Sequence, residues 1–145
     1  MSMSEQAETE VLPPKPKPYI RKVNEEFWRA ASENRLEIQR CSNCGRWQYP
    51  PVERCPQCGS AKLSWLPASG KGVVHTFTIF HMLYDKSFKN DLPYNVAVVA
   101  LEEGPQMLTN LIDIDNDAIE IGLPVEVTFV DRDGVNLPQF RPVVK

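Results

Sequence analysis

The 145-residue chain contains four cysteines, Cys41, Cys44, Cys55 and Cys58, arranged as two Cys-x-x-Cys pairs with ten residues between them. Two intervening residues let a chain curl so that both sulfurs of a pair point at one ion, and two such pairs fill the four positions that a structural zinc takes. Gly45 and Gly59 directly follow the second cysteine of each pair. Glycine accepts the positive φ of such a turn and lets backbone N–H groups approach charged sulfur. Disulfides fit less well, because the N-terminus shows no signal-peptide pattern and the spacing suits a metal. A thioredoxin-like redox pair would stand alone before a helix, not be duplicated around a proline-rich loop. The pattern predicts a closed, structural Zn2+ site, which leaves no free thiol as a nucleophile.

A chain of this length holds one small domain or two very small ones and buries only a modest core, so a metal staple fits its size. Hydrophobic residues make up 42% and charged residues 24%, an ordinary globular balance. No apolar run approaches the roughly 18 residues that would suggest a membrane span. A cytoplasmic protein without a membrane partner is expected. The net charge of −3 is uneven: residues 1–67 carry ten Lys/Arg against eight Asp/Glu, and residues 68–145 carry six against eleven, so the halves differ at +2 and −5.

Four segments follow along the chain. Residues 1–18 begin polar and acidic and end in Pro13-Pro14-Lys15-Pro16-Lys17-Pro18, an extended arm that is either a solvated tail or a strap laid across a partner. Residues 19–35 form a helical segment, with Val23, Phe27, Ala30, Ala31 and Asn34 at helical spacing and Asn24 as its N-cap before Glu25 and Glu26. Residues 36–67 form the zinc ribbon, where Leu36 and Ile38 begin a strand and Leu63-Ser64-Trp65-Leu66 ends another. Trp47 and Trp65 are expected to cover the metal, with an interaction surface as the alternative use of Trp47, Tyr49 and Trp65.

Residues 68–145 read as all-β. Val73–Leu83, Tyr94–Leu101, Gln106–Ile112, Val125–Val130 and Gln139–Arg141 are the expected strands, with one helical turn at Asp115–Ile119 between the third and fourth. Five strands with that insert match a small, partly open OB-fold barrel. The expected fold class is therefore mainly β: an N-terminal helical segment, a zinc ribbon and a five-stranded OB-fold barrel.

Outside the cysteines, candidate chemistry is sparse. His75 and His81 are the two histidines, expected on one strand face with Val73, Phe77 and Ile79 unless a bulge intervenes. His81, near the strand end, is the better candidate for contact with a substrate or partner. Asp113, Asp115 and Asp117 lack the glycine and distal glutamate of a calcium loop. No phosphate-binding glycine loop, nucleophile elbow or dinucleotide fingerprint is present, so no catalytic residue is assigned. OB-folds and zinc ribbons often bind nucleic acid, but an acidic barrel lacks the basic groove this needs, and no nucleic-acid partner is expected.

The order of motifs resembles the DUF35 family. The matching stretches are Cys41-Ser-Asn-Cys44-Gly45, Pro50-Pro51, Cys55-Pro-Gln-Cys58-Gly59-Ser60, Ser69-Gly70-Lys71-Gly72, Phe77-Thr78-Ile79-Phe80-His81, Pro93-Tyr94-Asn95-Val96-Ala97-Val98-Val99, Gly122-Leu123-Pro124-Val125-Glu126-Val127 and Phe140-Arg141-Pro142. The resemblance implies a rubredoxin-like ribbon joined to an acyl-CoA-associated OB-fold. It also implies a small, non-catalytic subunit of thiolase-superfamily enzymes, such as benzoylsuccinyl-CoA thiolase, that form or cleave C–C bonds in coenzyme A thioesters. The expected partner is a thiolase-like catalytic subunit in a hetero-oligomer, with the coenzyme A thioester bound jointly and Trp47, Tyr49, Trp65 and His81 facing substrate or partner. Thiolytic cleavage requires a nucleophilic cysteine, which a chain with every thiol committed to zinc must take from its partner. A stand-alone acyl-CoA-binding protein is the alternative.

Overall fold

The computed structural model describes residues 11–143. The acidic start of the expected arm lies outside the described residues. Residues 11–20 form neither helix nor strand, as the proline spacing requires. Helix α1 spans Glu25–Ser32, with Phe27, Ala30 and Ala31 buried on one face. Asn24 makes no side-chain cap to the helix. Its Oδ1 accepts from the Arg21 N–H at 2.7 Å, and its Nδ2 donates to the Tyr19 carbonyl at 3.2 Å. The side chain is thus spent on the turn before the helix, which explains why the expected cap does not form.

A three-stranded antiparallel sheet follows, in the order β2-β1-β3: β1 is Glu37–Cys41, β2 Trp47–Gln48 and β3 Leu63–Pro67. The second sheet has five antiparallel strands in the order β6-β5-β4-β7-β8: β4 (Lys71–Phe80), β5 (Tyr94–Leu101), β6 (Gln106–Thr109), β7 (Pro124–Arg132) and β8 (Val135–Pro142). A parallel bridge between Leu111 and Phe140 curls this sheet toward closure, giving an OB-like half-barrel. The expected helical turn between its third and fourth strands is a 3-10 helix at Asn116–Ala118. A second 3-10 helix, Lys86–Asp91, occupies what reads in sequence as a plain loop; Asp85 caps it, accepting from the Ser87 N–H at 2.9 Å.

Strand β4 departs from simple alternation. Its register with β5 shifts between Val74 and Thr76, a bulge that places one extra residue, His75, in the strand. Val74 is 1% exposed while Val73 is 41% exposed, and Phe77 and Ile79 pack on the core beyond the shift. The bulge therefore separates Val73 from the face of Phe77 and Ile79, correcting the single face expected from the sequence.

Helix, ribbon and barrel share one core. Phe27, Leu36 and Ile38 join Val74, Val99, Met107, Val125 and Phe140 in a single buried cluster. Along β5, Asn95, Ala97, Val99 and Leu101 all face inward. Asn95 is satisfied there: its Nδ2 donates to the Leu111 carbonyl at 2.9 Å, and its Oδ1 accepts from the Leu111 N–H at 2.7 Å. Its amide thus stands in for a strand partner where β6 has ended.

Gly72 sits where β4 lies close against β5. A Cβ there would lie 2.4 Å from the Ala100 carbonyl oxygen and 2.8 Å from Val99 Cγ1, so backbone must move to admit it. Gly72→Ala is expected to cost about 1–3 kcal/mol by overpacking. The check is the urea midpoint; a midpoint equal to that of the parent would show that the strands separate freely at this point.

Candidate metal centre

The ribbon builds its metal site from two copies of one turn. In the first, Cys41 N–H donates to the Arg46 carbonyl at 2.8 Å and Gly45 N–H to the Cys41 carbonyl at 2.9 Å. In the second, Cys55 N–H donates to the Ser60 carbonyl and Gly59 N–H to the Cys55 carbonyl, both at 2.8 Å. Gly45 and Gly59 both have φ of +78°, a conformation that carries steric strain for any residue with a Cβ. An arginine precedes each first cysteine: Arg40 Nε donates to the Gly45 carbonyl at 3.1 Å and Arg54 Nη1 to the Gly59 carbonyl at 3.3 Å. The repeat unit is thus Arg-Cys-x-x-Cys-Gly. Each guanidinium closes its turn.

The four Sγ atoms lie within 4.8 Å of one another, with Cys41 and Cys55 buried and Cys44 and Cys58 exposed. The cross-pair distances Cys41–Cys58 and Cys44–Cys55 are both 3.6 Å. A tetrahedron with zinc–sulfur arms of about 2.3 Å has sulfur–sulfur edges of about 3.8 Å, so the donor set fits zinc. Asn43 Nδ2, 3.4 Å from Cys58 Sγ, holds that thiol down at about 6, helped by the Ser60 N–H. At Cys44 the Arg46 backbone lowers the thiol, but desolvation and the sulfurs of Cys55, Cys41 and Cys58 outweigh it and push it up to about 11. Sulfurs this close resist full ionisation unless a cation sits among them. Four thiolates fill the coordination of zinc, so the ion would serve as a cross-link with no position for water or substrate.

One side chain the motif does not announce supports the site. Gln39, 4% exposed, donates from Nε2 to the Val52 carbonyl and accepts at Oε1 from the Val52 N–H, both at 2.9 Å. It pins the loop between the knuckles to β1 as a strand partner would. A glutamine before an Arg-Cys pair gives no sequence signal for this.

The candidate contact residues separate in space. Trp47 lies under the Arg40 guanidinium, 5.3 Å from its ring. Tyr49 packs against Phe27 at 5.6 Å, and burial pushes its phenol up from the ordinary value. Trp47 and Tyr49 line a groove of about 680 Å³ with Cys44, Arg46 and the turn from Glu103 to Gln106. In that turn, Glu103 Oε2 accepts from the Ser69 N–H at 2.8 Å, while Oε1 is enclosed and has no partner among the described residues. Trp47, Tyr49 and Trp65 are half-buried against the core, so their rings serve packing, and those of Trp47 and Tyr49 serve the groove as well. Trp65 does not line the groove. His81 is exposed just past the end of β4, followed by Met82, Leu83 and Tyr84 at 64%, 41% and 73% exposure. No described helix is long and apolar enough to cross a membrane.

Two family models match: the rubredoxin-like zinc ribbon domain of ChsH2 over residues 28–64 and the C-terminal OB-fold domain of ChsH2 over residues 65–130. A probable enoyl-CoA hydratase alpha subunit of Thermomonospora curvata is 39% identical over 142 residues, which is 97% of this chain and 44% of that protein. The chain thus spans under half the length of that relative. A DUF35 domain-containing scaffold protein of Pyrococcus furiosus is 37% identical, covering 82% of this chain and 92% of its own length. The benzoylsuccinyl-CoA thiolase subunit BbsA of Thauera aromatica is 27% identical, with 88% and 91% covered. Among solved structures, a chain of the Ltp2-ChsH2(DUF35) aldolase superposes with a TM-score of 0.81 at 40% identity, covering 88% of this chain and 100% of that one.

Proposed function

The chain belongs to the DUF35 family of ChsH2-type zinc-ribbon and OB-fold proteins, and from that premise we propose that it is the non-catalytic accessory subunit of a thiolase-superfamily complex acting on acyl-CoA thioesters. The observation that carries this reading is the commitment of all four thiols of the chain to one metal-ligand cluster. Carbon–carbon cleavage by thiolysis needs a thiolate nucleophile and a nearby base, and a four-thiolate zinc site offers neither. The nucleophile then belongs to the partner. Relatives named as a thiolase subunit, a hydratase alpha subunit and part of an aldolase support the same division of labour.

Two faces are assigned to that partner. One is the groove of Trp47 and Tyr49, where the enclosed Glu103 oxygen awaits a donor. The other is the segment from His81 to Tyr84, whose contiguous exposed apolar side chains are unusual for a small domain. Trp65 lies on β3, at the sheet edge opposite β2, and packs against the core. The role of the subunit is to stabilise the catalytic chain and shape its acyl-CoA entrance.

Co-expression with a thiolase-like protein from the same cell tests the proposal. The two are expected to elute together in size-exclusion chromatography, with Leu83→Asp weakening the complex while the isolated variant keeps its zinc and its circular dichroism. Turnover of an acyl-CoA by the isolated chain, or separate elution of the two proteins, would overturn it.

A further inference from the structure

The proline-rich arm, expected from the sequence to lie in solvent or across a partner, is laid against its own barrel. Two anchors hold it. Near the helix, the Tyr19 carbonyl accepts from Asn24 Nδ2 at 3.2 Å. Further out, Lys15 Nζ pairs with Asp91 at 2.5 Å, and the Pro16 carbonyl accepts from Arg132 Nη1 at 3.1 Å. Asp91 ends the 3-10 helix Lys86–Asp91 and Arg132 ends β7, so the arm bridges two elements that are far apart in sequence.

Both cations lie over one ring. Lys15 Nζ is 5.5 Å and Arg132 Cζ 5.7 Å from the centre of Phe88, within the reach of about 6 Å at which an aromatic face attracts a cation. Phe88 begins a file of aromatic contacts. It lies 5.5 Å from Tyr94; Tyr94 stacks on Phe80 at 5.2 Å, and Phe80 meets Tyr84 edge-on at 6.0 Å. Phe80 and Tyr94 are register partners on β4 and β5, so the middle of the file is fixed by the barrel sheet. Its far end is not. Tyr84 is 73% exposed, with little burial to fix it, so its orientation depends on the edge contact with Phe80. The chain between the two ends is itself short and pinned: Asp85 Oδ1 accepts from the Ser87 N–H at 2.9 Å and from Ser87 Oγ at 2.6 Å, and Ser87 is buried. A clamp on Phe88 thus reaches Tyr84 both along the rings and along the chain.

We propose that the arm is a strap this chain lays on itself: by holding Phe88 under Lys15 and Arg132, it presets residues 81–84 for the catalytic partner, a use that rests on the partner face assigned above. Presetting a docking segment lowers the conformational cost of binding. The strap is held by partly exposed charges, so salt weakens it, and the segment loosens with it.

The test begins with the full 15N-labelled chain alone. Lys15→Met combined with Arg132→Met keeps apolar stems and removes both charges. The double variant should show lower heteronuclear NOE values at residues 82–84, and amide exchange at Ser87 and Phe88 should rise by about tenfold. Exchange along β5 and in the ribbon should stay as in the parent. Sodium chloride at about 1 M, where the screening length is ~3 Å, should move the parent toward the double variant, and Lys15→Arg should behave as the parent. Phe88→Leu leaves both charges in place and interrupts the rings; it should loosen residues 82–84 in the same way. Unchanged NOE values in the double variant or in Phe88→Leu would refute the strap. In the complex with a thiolase-like protein, the double variant and Phe88→Leu should both dissociate faster than the parent. A loosened segment with unchanged dissociation would remove the docking role alone, whereas a parent chain that shows the strap but forms no complex would remove the accessory-subunit reading alone.

Discussion

Cys55→Ala should yield a chain that no longer retains zinc and whose ribbon and helix are unfolded. Structural zinc contributes about 10–16 kcal/mol in small finger peptides, as much as the whole stability of about 5–15 kcal/mol of an ordinary domain. Cys55 is 2% exposed and begins the second knuckle, so no neighbouring water-exposed donor replaces its sulfur without rearrangement. The damage should spread, because Leu36 and Ile38, just before the first knuckle, belong to the same buried cluster as the barrel valines. All three tryptophans, Trp28, Trp47 and Trp65, lie in the helix and ribbon. Their fluorescence therefore reports that half alone, while far-ultraviolet circular dichroism also reports the barrel. The expected result is loss of zinc by elemental analysis together with red-shifted tryptophan emission. Full zinc occupancy with native emission would show that three thiolates suffice.

Phe140→Ala should be the most damaging change in the barrel. Phe140 is fully buried, at 0% exposure, among Leu111, Val125 and the other core residues. Its backbone also holds the closure of the sheet, donating to the Asn110 carbonyl at 3.2 Å and accepting from the Ile112 N–H at 2.8 Å. Truncating a phenylalanine in such a core costs about 3–5 kcal/mol, a large share of the total. The adjacent Arg141 supplies a control. Its exposed ion pair with Glu126, at 3.3 Å, should be worth about 0–1 kcal/mol, so Arg141→Ala should barely move the urea midpoint. Tryptophan emission and circular dichroism should lose structure at one midpoint in Phe140→Ala, since the core is shared. Two separate midpoints would mean that ribbon and barrel melt independently.

Much of this architecture is legible in the chain. Four cysteines at fixed spacing announce the metal, and alternation along β5 announces a half-buried strand, because both signals come from neighbours in sequence. What escapes depends on residues that meet only in space. The bulge at His75 is set by how β4 must bend to serve both β5 and β7, and nothing in Val73-Val74-His75-Thr76 marks it. Gln39 and Asn95 look like polar interruptions of apolar strands until the Val52 and Leu111 backbones that they satisfy come alongside. The groove and the candidates Trp47 and Tyr49 were readable as an aromatic loop, but not the turn from Glu103 to Gln106 that forms its other bank.

The pairing of β4 bears on motion. Strand β7 pairs with β4 through Lys71, Gly72 and Val73, extended by backbone bonds from Val127 to Gly70 and from Val74 to Leu123, whereas β7 and β8 pair along eight residues. At its other side the β7–β8 hairpin is tied back by the short parallel contact at Leu111 and Phe140. The hairpin is therefore stiff along its own length, and its outer strand is also held to the helix segment, where Asn136 Nδ2 donates to the Ala31 carbonyl at 3.1 Å and to Asn34 Oδ1 at 3.0 Å. Its tip carries Arg132, the residue that grips the arm. Amide exchange at the hairpin tip, residues 132–134, should accordingly run ahead of exchange within the eight-residue ladder, so that a change in the grip on the arm would be felt first at the tip rather than in the barrel.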